Sequence, residues 1–138
     1  MEFELCLAHT LRRADRVISQ FYNEHLAPLG LRVTQFSILR ALDLLGSTTA
    51  AHLREALVLE QATVSRALKP LIRDGYINVM PGADGREKQL SLSKEGKALY
   101  EEALGPWNQA QEKLKARLGS TGTEDLVKLS NRIVELKK

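Results

Sequence analysis

The sequence predicts a mainly α chain with one small β-hairpin and long helices at both ends. Three observations support this. Apolar residues recur every three to four positions over most of the chain. The period changes after Gly75 to strict alternation, and the alternating stretch is split by "PGADGRE", residues 81–87, a run of turn formers. At 138 residues, 43% hydrophobic and 27% charged, residues 1–138 suit one globular domain, which at this size buries about two-thirds of the surface its unfolded chain exposes.

Phe3, Leu7, Leu11, Ala14, Ile18 and Phe21 mark one face of a first helix, which Pro28 and Gly30 end. A second helix is expected after Thr34 as N-cap, with Phe36, Ile38, Leu39, Leu42 and Leu45 inward and Gly46 as its stop. Thr49 opens a short third helix that turns Leu53, Ala56 and Leu57 inward. The fourth, "ATVSRALKPLIRDG", residues 62–75, gathers Val64, Ala67, Leu68 and Leu71 on one side in spite of Pro70. In the hairpin, Ile77 and Val79 share a side of the first strand, and Leu90 and Leu92 share a side of the second. Ser93 caps a long helix along Leu99, Ala103, Trp107, Ala110, Leu114 and Leu118, with a bend or break expected at Gly105-Pro106. "TGTE", residues 121–124, reads as a capping box opening a last helix along Leu126, Leu129, Ile133 and Leu136.

The fourth helix carries the chemistry. Thr63, Ser65, Arg66, Lys69 and Arg73 form its polar side, which holds no carboxylate. A solvated face ordinarily mixes both signs of charge, whereas short hydroxyls beside cations suit base edges and phosphates. Pro70 is tolerable there, because water or phosphate-side solvent can satisfy the Arg66 carbonyl that loses its helical donor. With the helix over 50–57 and the tight "VLEQ" connection, it completes a helix-turn-helix whose second helix reads DNA. The hairpin makes the lobe over 34–92 a winged helix. Its tip carries Asp84 and Arg86, an arginine suited to the minor groove and an aspartate placed to hold the guanidinium, with Lys88 nearby. The expected partner is double-stranded DNA; the alternative is a winged helix that contacts another protein.

Other classes fit poorly. There is no P-loop, Gly-x-Ser-x-Gly elbow or dinucleotide fingerprint, and His9, His25 and His52 are scattered, so neither an enzyme, a cofactor nor a metal is expected. His25 extends the apolar stripe of the first helix and reads as a partly buried structural residue. No uninterrupted apolar run exceeds four residues and the start "MEFEL" is acidic, so no membrane span or secretory signal is expected and a cytoplasmic location is. The net charge of +3 permits a polyanionic partner without requiring one. Cys6 is the single cysteine; Glu2, Cys6, His9 and Arg13 share a face opposite the apolar stripe, which makes redox sensing at Cys6 an alternative to an inert thiol.

Thr-Val-Ser-Arg (63–66), Arg-Asp-Gly-Tyr-Ile (73–77), Asp-x-Arg (84–86) and Leu-Ser-x-x-Gly (92–96) occur in that order, and the chain resembles the MarR family of winged-helix transcriptional regulators along essentially its whole length. The resemblance implies a homodimer joined through long N- and C-terminal dimerisation helices, here 1–30 and 93–138. It implies a roughly palindromic operator and usually repression. Thr63, Ser65 and Arg66 then fall on the recognition helix, Asp84 and Arg86 on the wing, and Glu87 stands where a basic or small residue is common. The junction between the two halves accepts aromatic carboxylates in many such proteins, which makes Arg13, Arg16, Tyr22 and Trp107 candidates for binding a small aromatic acid as effector. Some relatives sense hydroperoxides through a cysteine of the first helix, but it would fall at Ala8; Tyr22 matches a tyrosine of that sensing site and Arg12 replaces another. Leu126, Leu129, Ile133 and Leu136 have no later segment to cover them, which independently favours a dimer.

Overall fold

The computed structural model describes residues 6–83, 85 and 87–137. Its helices are α1 (Leu7–Leu26), α2 (Val33–Leu45), α3 (Ala50–Leu57), α4 (Gln61–Arg73) and α5 (Lys94–Val134), with the strands β1 (Ile77–Met80) and β2 (Gln89–Leu92) between α4 and α5. Single 3-10 turns follow α1 at Ala27–Leu29 and α5 at Glu135–Lys137. The mainly α architecture with a hairpin wing is as the periodicity predicts.

The core lies where α2, α3 and α4 meet the hairpin and the first half of α5. Phe36, Ile38, Leu39 and Leu42 enter it from α2, Leu53 from α3, Val64, Leu68 and Leu71 from α4, Ile77 and Leu90 from the strands, and Leu99 and Ala103 from α5. Removing these side chains from water is the main favourable term, at about 1.5–3 kcal/mol for each large one. Three side chains expected inward are not: Leu45 and Ala56 are exposed, and so is Leu118 at 38%. Leu45 occupies the last position before Gly46 turns the chain away, beyond the reach of the core.

Helix ends follow from which donors find partners. Thr49 caps α3, its hydroxyl accepting from the His52 N–H at 3.1 Å, as expected. Thr34 does not cap α2, whose N-cap is Arg32. The reason is that Gln35 reaches back to the Arg32 N–H (3.0 Å) and Asn23 of α1 takes the Val33 N–H (2.7 Å), so the helix starts earlier than Thr34. In α5 the backbone is helical through Gly105-Pro106 and breaks instead at Gly119, with φ 78° and ψ 165°. Pro106 deprives the Glu102 carbonyl of its helical donor, but Glu102 is exposed and water can serve it. The capping box at 121–124 is likewise not formed as expected, because the helix restarts immediately after Gly119 and the Thr123 hydroxyl donates to the Gly119 carbonyl (2.8 Å).

The hairpin pairs Ile77 with Leu92 and Val79 with Leu90, so the two apolar pairs share one face as the alternation predicts. An addition the sequence did not disclose is a bridge from Thr48, whose N–H and carbonyl bond to Leu90 at 3.0 and 2.7 Å and anchor the wing to the end of α2. At the base of the hairpin, Ser93 caps α5 by accepting from the Gly96 N–H (2.9 Å) and donates its hydroxyl to the Gly75 carbonyl (2.6 Å). Its own N–H bonds to Tyr76 (3.1 Å). Gly96 is required by the same contact, since a Cβ there would lie 1.9 Å from the Tyr76 carbonyl oxygen.

The two ends of the chain are less covered. On α1, Leu7 (72%), Leu11 and Val17 are exposed, and burial begins only at Tyr22 and Leu26; Phe3 lies outside the described residues. Beyond Gly119, Leu126, Val127, Leu129, Ile133, Val134 and Leu136 are all exposed. Among the described residues no helix is long and apolar enough to cross a membrane.

Two stability predictions follow from these contacts. Ser93→Ala removes a cap and a second hydrogen bond and should cost about 1–2 kcal/mol in urea unfolding, with Gly96→Ala costing more because backbone must move. Gly119 occupies a region open essentially to glycine alone, so Gly119→Ala should lower stability by about 1–3 kcal/mol. By contrast Gly122→Ala, whose Cβ would meet Leu118 at an ordinary 3.5 Å, should be neutral or stabilising. Equal midpoints for the two glycine variants would show that the break does not depend on Gly119.

Candidate nucleic-acid interface

α3 and α4 are joined by Val58, Leu59 and Glu60. Val58 turns the chain in a left-handed conformation, φ 53° and ψ 57°, and its N–H bonds the carbonyls at the end of α3. A β-branched residue is strained there by about 1–3 kcal/mol. The strain persists because Leu53 is fully buried and Leu57 and Leu59 pack against the same core on either side. The angle between the two helices is therefore fixed from below by apolar contacts.

The same burial decides what α4 shows to solvent. Val64, Ala67, Leu68 and Leu71 face the core, as predicted, so Ser65, Arg66 and Lys69 are exposed and Thr63 is half-buried. Among the described residues neither Arg66 nor Lys69 has an ion-pair partner. Arg73 differs. Asp74, the first residue past the helix, accepts from its Nε at 3.0 Å and its Nη2 at 3.2 Å. That hydrogen bond, with the attraction between the charges, raises the guanidinium pKa and holds the Asp74 carboxyl below its ordinary range. Arg73 thus has part of its charge answered within the chain. α4 runs through Pro70, which is half-buried, while Arg66 is exposed, so the Arg66 carbonyl can take a solvent donor in place of the missing N–H.

A groove of about 780 Å³ separates α3 and α4 from the hairpin. Arg54, Gln61, Ser65, Glu87 and Lys88 line it above a floor that includes Leu68 and Val79. Arg54 and Gln61 are additions to the residues singled out from sequence. Gln61 lies one turn before Ser65 on the same side of α4, a spacing that would have found it. Lys88 is exposed beside an exposed Glu87. Asp84 and Arg86 lie outside the described residues; next to them, the Gly85 N–H closes a turn onto the Gly82 carbonyl (3.0 Å). A convex helix bearing hydroxyls and unpaired cations beside a groove edged with polar side chains can present donors to base edges and phosphates together.

The residues expected at an effector site are not gathered in one place. Tyr22 is buried, its hydroxyl bonded to the Gln111 side chain, and burial raises the phenol pKa. Its surroundings form a pocket of about 260 Å³ between α1, the start of α2 and the α3–α4 connection, lined with Asp15, Ser19, Thr34 and Ser37. Arg13 and Arg16 are exposed on α1 and do not line it. Trp107 is elsewhere, stacked on Phe36 at 5.3 Å with the Arg40 guanidinium 4.6 Å from its ring centre. Cys6 is exposed immediately before α1 and makes no capping bond, while Glu2 of its proposed constellation lies outside the described residues. His25 is half-buried, bonded to the Phe21 carbonyl (2.9 Å) and to Lys113 (3.1 Å), which fits a structural role.

Comparison with known proteins bears on the whole arrangement. The profile of the MarR family matches residues 31–88. The uncharacterized HTH-type transcriptional regulator YwoH of Bacillus subtilis is 36% identical over 96 residues, 70% of each chain. Among solved structures, the M. tuberculosis transcriptional regulator MosR in complex with DNA matches with a TM-score of 0.81 at 32% identity, over 96% of this chain and 99% of that one. A mutant MarR from E. coli complexed with operator DNA matches with a TM-score of 0.83 at 21% identity, over 94% of each chain, and shows the same fold.

Proposed function

The chain belongs to the MarR family, whose members are DNA-binding transcriptional regulators and not enzymes, and on that premise we propose that it acts as a homodimeric repressor of a roughly palindromic operator, released by a small molecule. The observation that carries the DNA reading is the exposed face of α4, where Ser65, Arg66 and Lys69 make no ion pair with any described residue, on a helix locked from beneath. The similarity to MosR, solved with DNA at 32% identity, supports it.

In this reading the lobe over 34–92 meets DNA. Thr63, Ser65 and Arg66 face base edges in the major groove, Lys69 and Arg73 the backbone, with Arg73 weakened by Asp74. Lys88 serves the wing's approach to the backbone, and Arg86, supported by Asp84, enters the minor groove. The helical regions 1–30 and 93–138 join two copies, which would cover the apolar side chains left exposed on α1 and beyond Gly119. Half-sites then lie about one helical turn apart, roughly 34 Å between recognition helices. An effector acts by favouring one separation of those helices over another; a tenfold loss of operator affinity needs about 1.4 kcal/mol of differential binding.

Two measurements test this. In bandshifts against DNA upstream of its own gene, Arg66→Ala should cost about 1–3 kcal/mol per half-site and relax sequence preference. An equal loss on operator and random duplex would assign Arg66 to the backbone, and no preference for any duplex in the parent protein would favour a protein partner instead. In sedimentation, the parent chain should be a dimer at micromolar concentration, and deletion of residues 121–138 should abolish both dimer and operator binding. A monomeric truncation with full operator affinity would defeat the dimer proposal.

A further inference from the structure

The pocket beside Tyr22 differs in charge from the site an aromatic acid requires. Its walls come from elements that the proposed mechanism must couple: Asp15, Ser19 and Tyr22 from α1, Thr34 and Ser37 from α2, Leu57 from the end of α3 and Leu59 from the connection into α4. Asp15, which is itself exposed, is the one ionised group among its lining residues. The Ser19 hydroxyl donates to its carboxylate at 3.4 Å, and among the described residues no cation pairs with it. Arg12, Arg13 and Arg16 are neighbours along α1, all exposed, and none contributes to the lining. Tyr22 presents its ring, since its hydroxyl is held by Gln111.

From this arrangement we infer that the pocket binds a one-ring molecule carrying a cationic, planar hydrogen-bond donor, such as an amidine or a guanidine, and disfavours a carboxylate. The proposal rests on the effector reading above and names its ligand class. A carboxylate placed against the Tyr22 ring would face the Asp15 carboxylate across a space of about 260 Å³ and meet like charge. A planar cation gains a charge-assisted, bidentate hydrogen bond to the same group and an aromatic face to lie on. Thr34 and Ser37 hydroxyls remain for further polar contacts, and Ile18, Val33, Leu57 and Leu59 supply the apolar walls that bury the ring.

The position explains how occupancy would be felt. Leu59 stands two residues before Gln61, the first residue of α4, and directly after the strained Val58. A molecule wedged between α1 and Leu57–Leu59 presses on the connection that sets the angle of the recognition helix, while its other side bears on the helix proposed to join the two copies.

Benzamidine, benzyl alcohol and benzoate form a matched set of cation, neutral molecule and anion on one ring. Their affinities for the full chain, by calorimetry at constant ionic strength, are measured for the parent and Asp15→Asn, alongside operator affinity by bandshift. The expected result is benzamidine binding at least tenfold tighter than benzoate, a loss of about tenfold in Asp15→Asn, and operator binding by the parent that weakens when benzamidine is present, with a smaller response in Asp15→Asn when each protein is compared with its own ligand-free affinity. Benzoate binding as tightly as benzamidine, or benzamidine indifferent to Asp15→Asn, would overturn the assignment. Asp15-dependent benzamidine binding that leaves operator affinity unchanged would overturn the regulatory step. Failure of the parent chain to prefer any duplex, with Asp15-dependent binding intact, would overturn the DNA reading and uphold the ligand class.

Discussion

The hydrogen bonds of Ser93 hold the end of α4 against the start of α5. One hydroxyl accepts from Gly96 and donates to Gly75, while the Ser93 N–H bonds to Tyr76. Each such bond contributes only about 1 kcal/mol, yet their geometric effect is large, because they converge where α4, the wing and α5 meet. Gly75 and Tyr76 lead from α4 into β1, and Ser93 leads from β2 into α5. If this junction moved, the exposed face of α4 and the base of the hairpin would lose their fixed relation. A second tie reinforces it, as Lys97 of α5 pairs with Asp43 of α2.

The core around α2 is closed by the first half of α5, whereas the outer parts of the terminal helices are left uncovered. Phe36 is enclosed by Tyr100 and Trp107, and Arg40 covers the outer face of the indole. On the outer part of α1 and beyond Gly119 the apolar side chains lie exposed.

Much of this was legible in the sequence wherever one periodicity ruled. The four buried side chains of α4 and the cross-strand pairs of the hairpin follow from spacing alone. The Thr49 cap was readable because its partner is local, three residues on. Thr34 misled because the donors at the start of α2 are satisfied by Asn23, ten residues from Val33 and on another helix. The Thr48 bridge was silent because a single paired residue carries no alternation. A bend or break was expected at Gly105-Pro106, but a proline removes one donor, whereas the φ and ψ of Gly119, just ahead of the last helix expected from 121–124, redirect the whole chain. At the site, the polar face of α4 was visible as a pattern. The scattering of Arg13, Arg16, Tyr22 and Trp107 was not, since it depends on Trp107 finding Phe36 and Tyr22 finding Gln111.

Val58 gives the helix-turn-helix an uneven elasticity. A turn built on glycine would rest at its minimum, whereas this one is held away from its local preference by the leucines on either side. Strain of about 1–3 kcal/mol is a sizeable fraction of the 5–15 kcal/mol that typically separates folded from unfolded states. Small losses of packing at Leu57 or Leu59 are therefore amplified at this joint, which yields before α3 or α4 themselves bend. The two helices behave as rigid levers on a preloaded spring, and the direction in which the spring relaxes is built into a single backbone torsion.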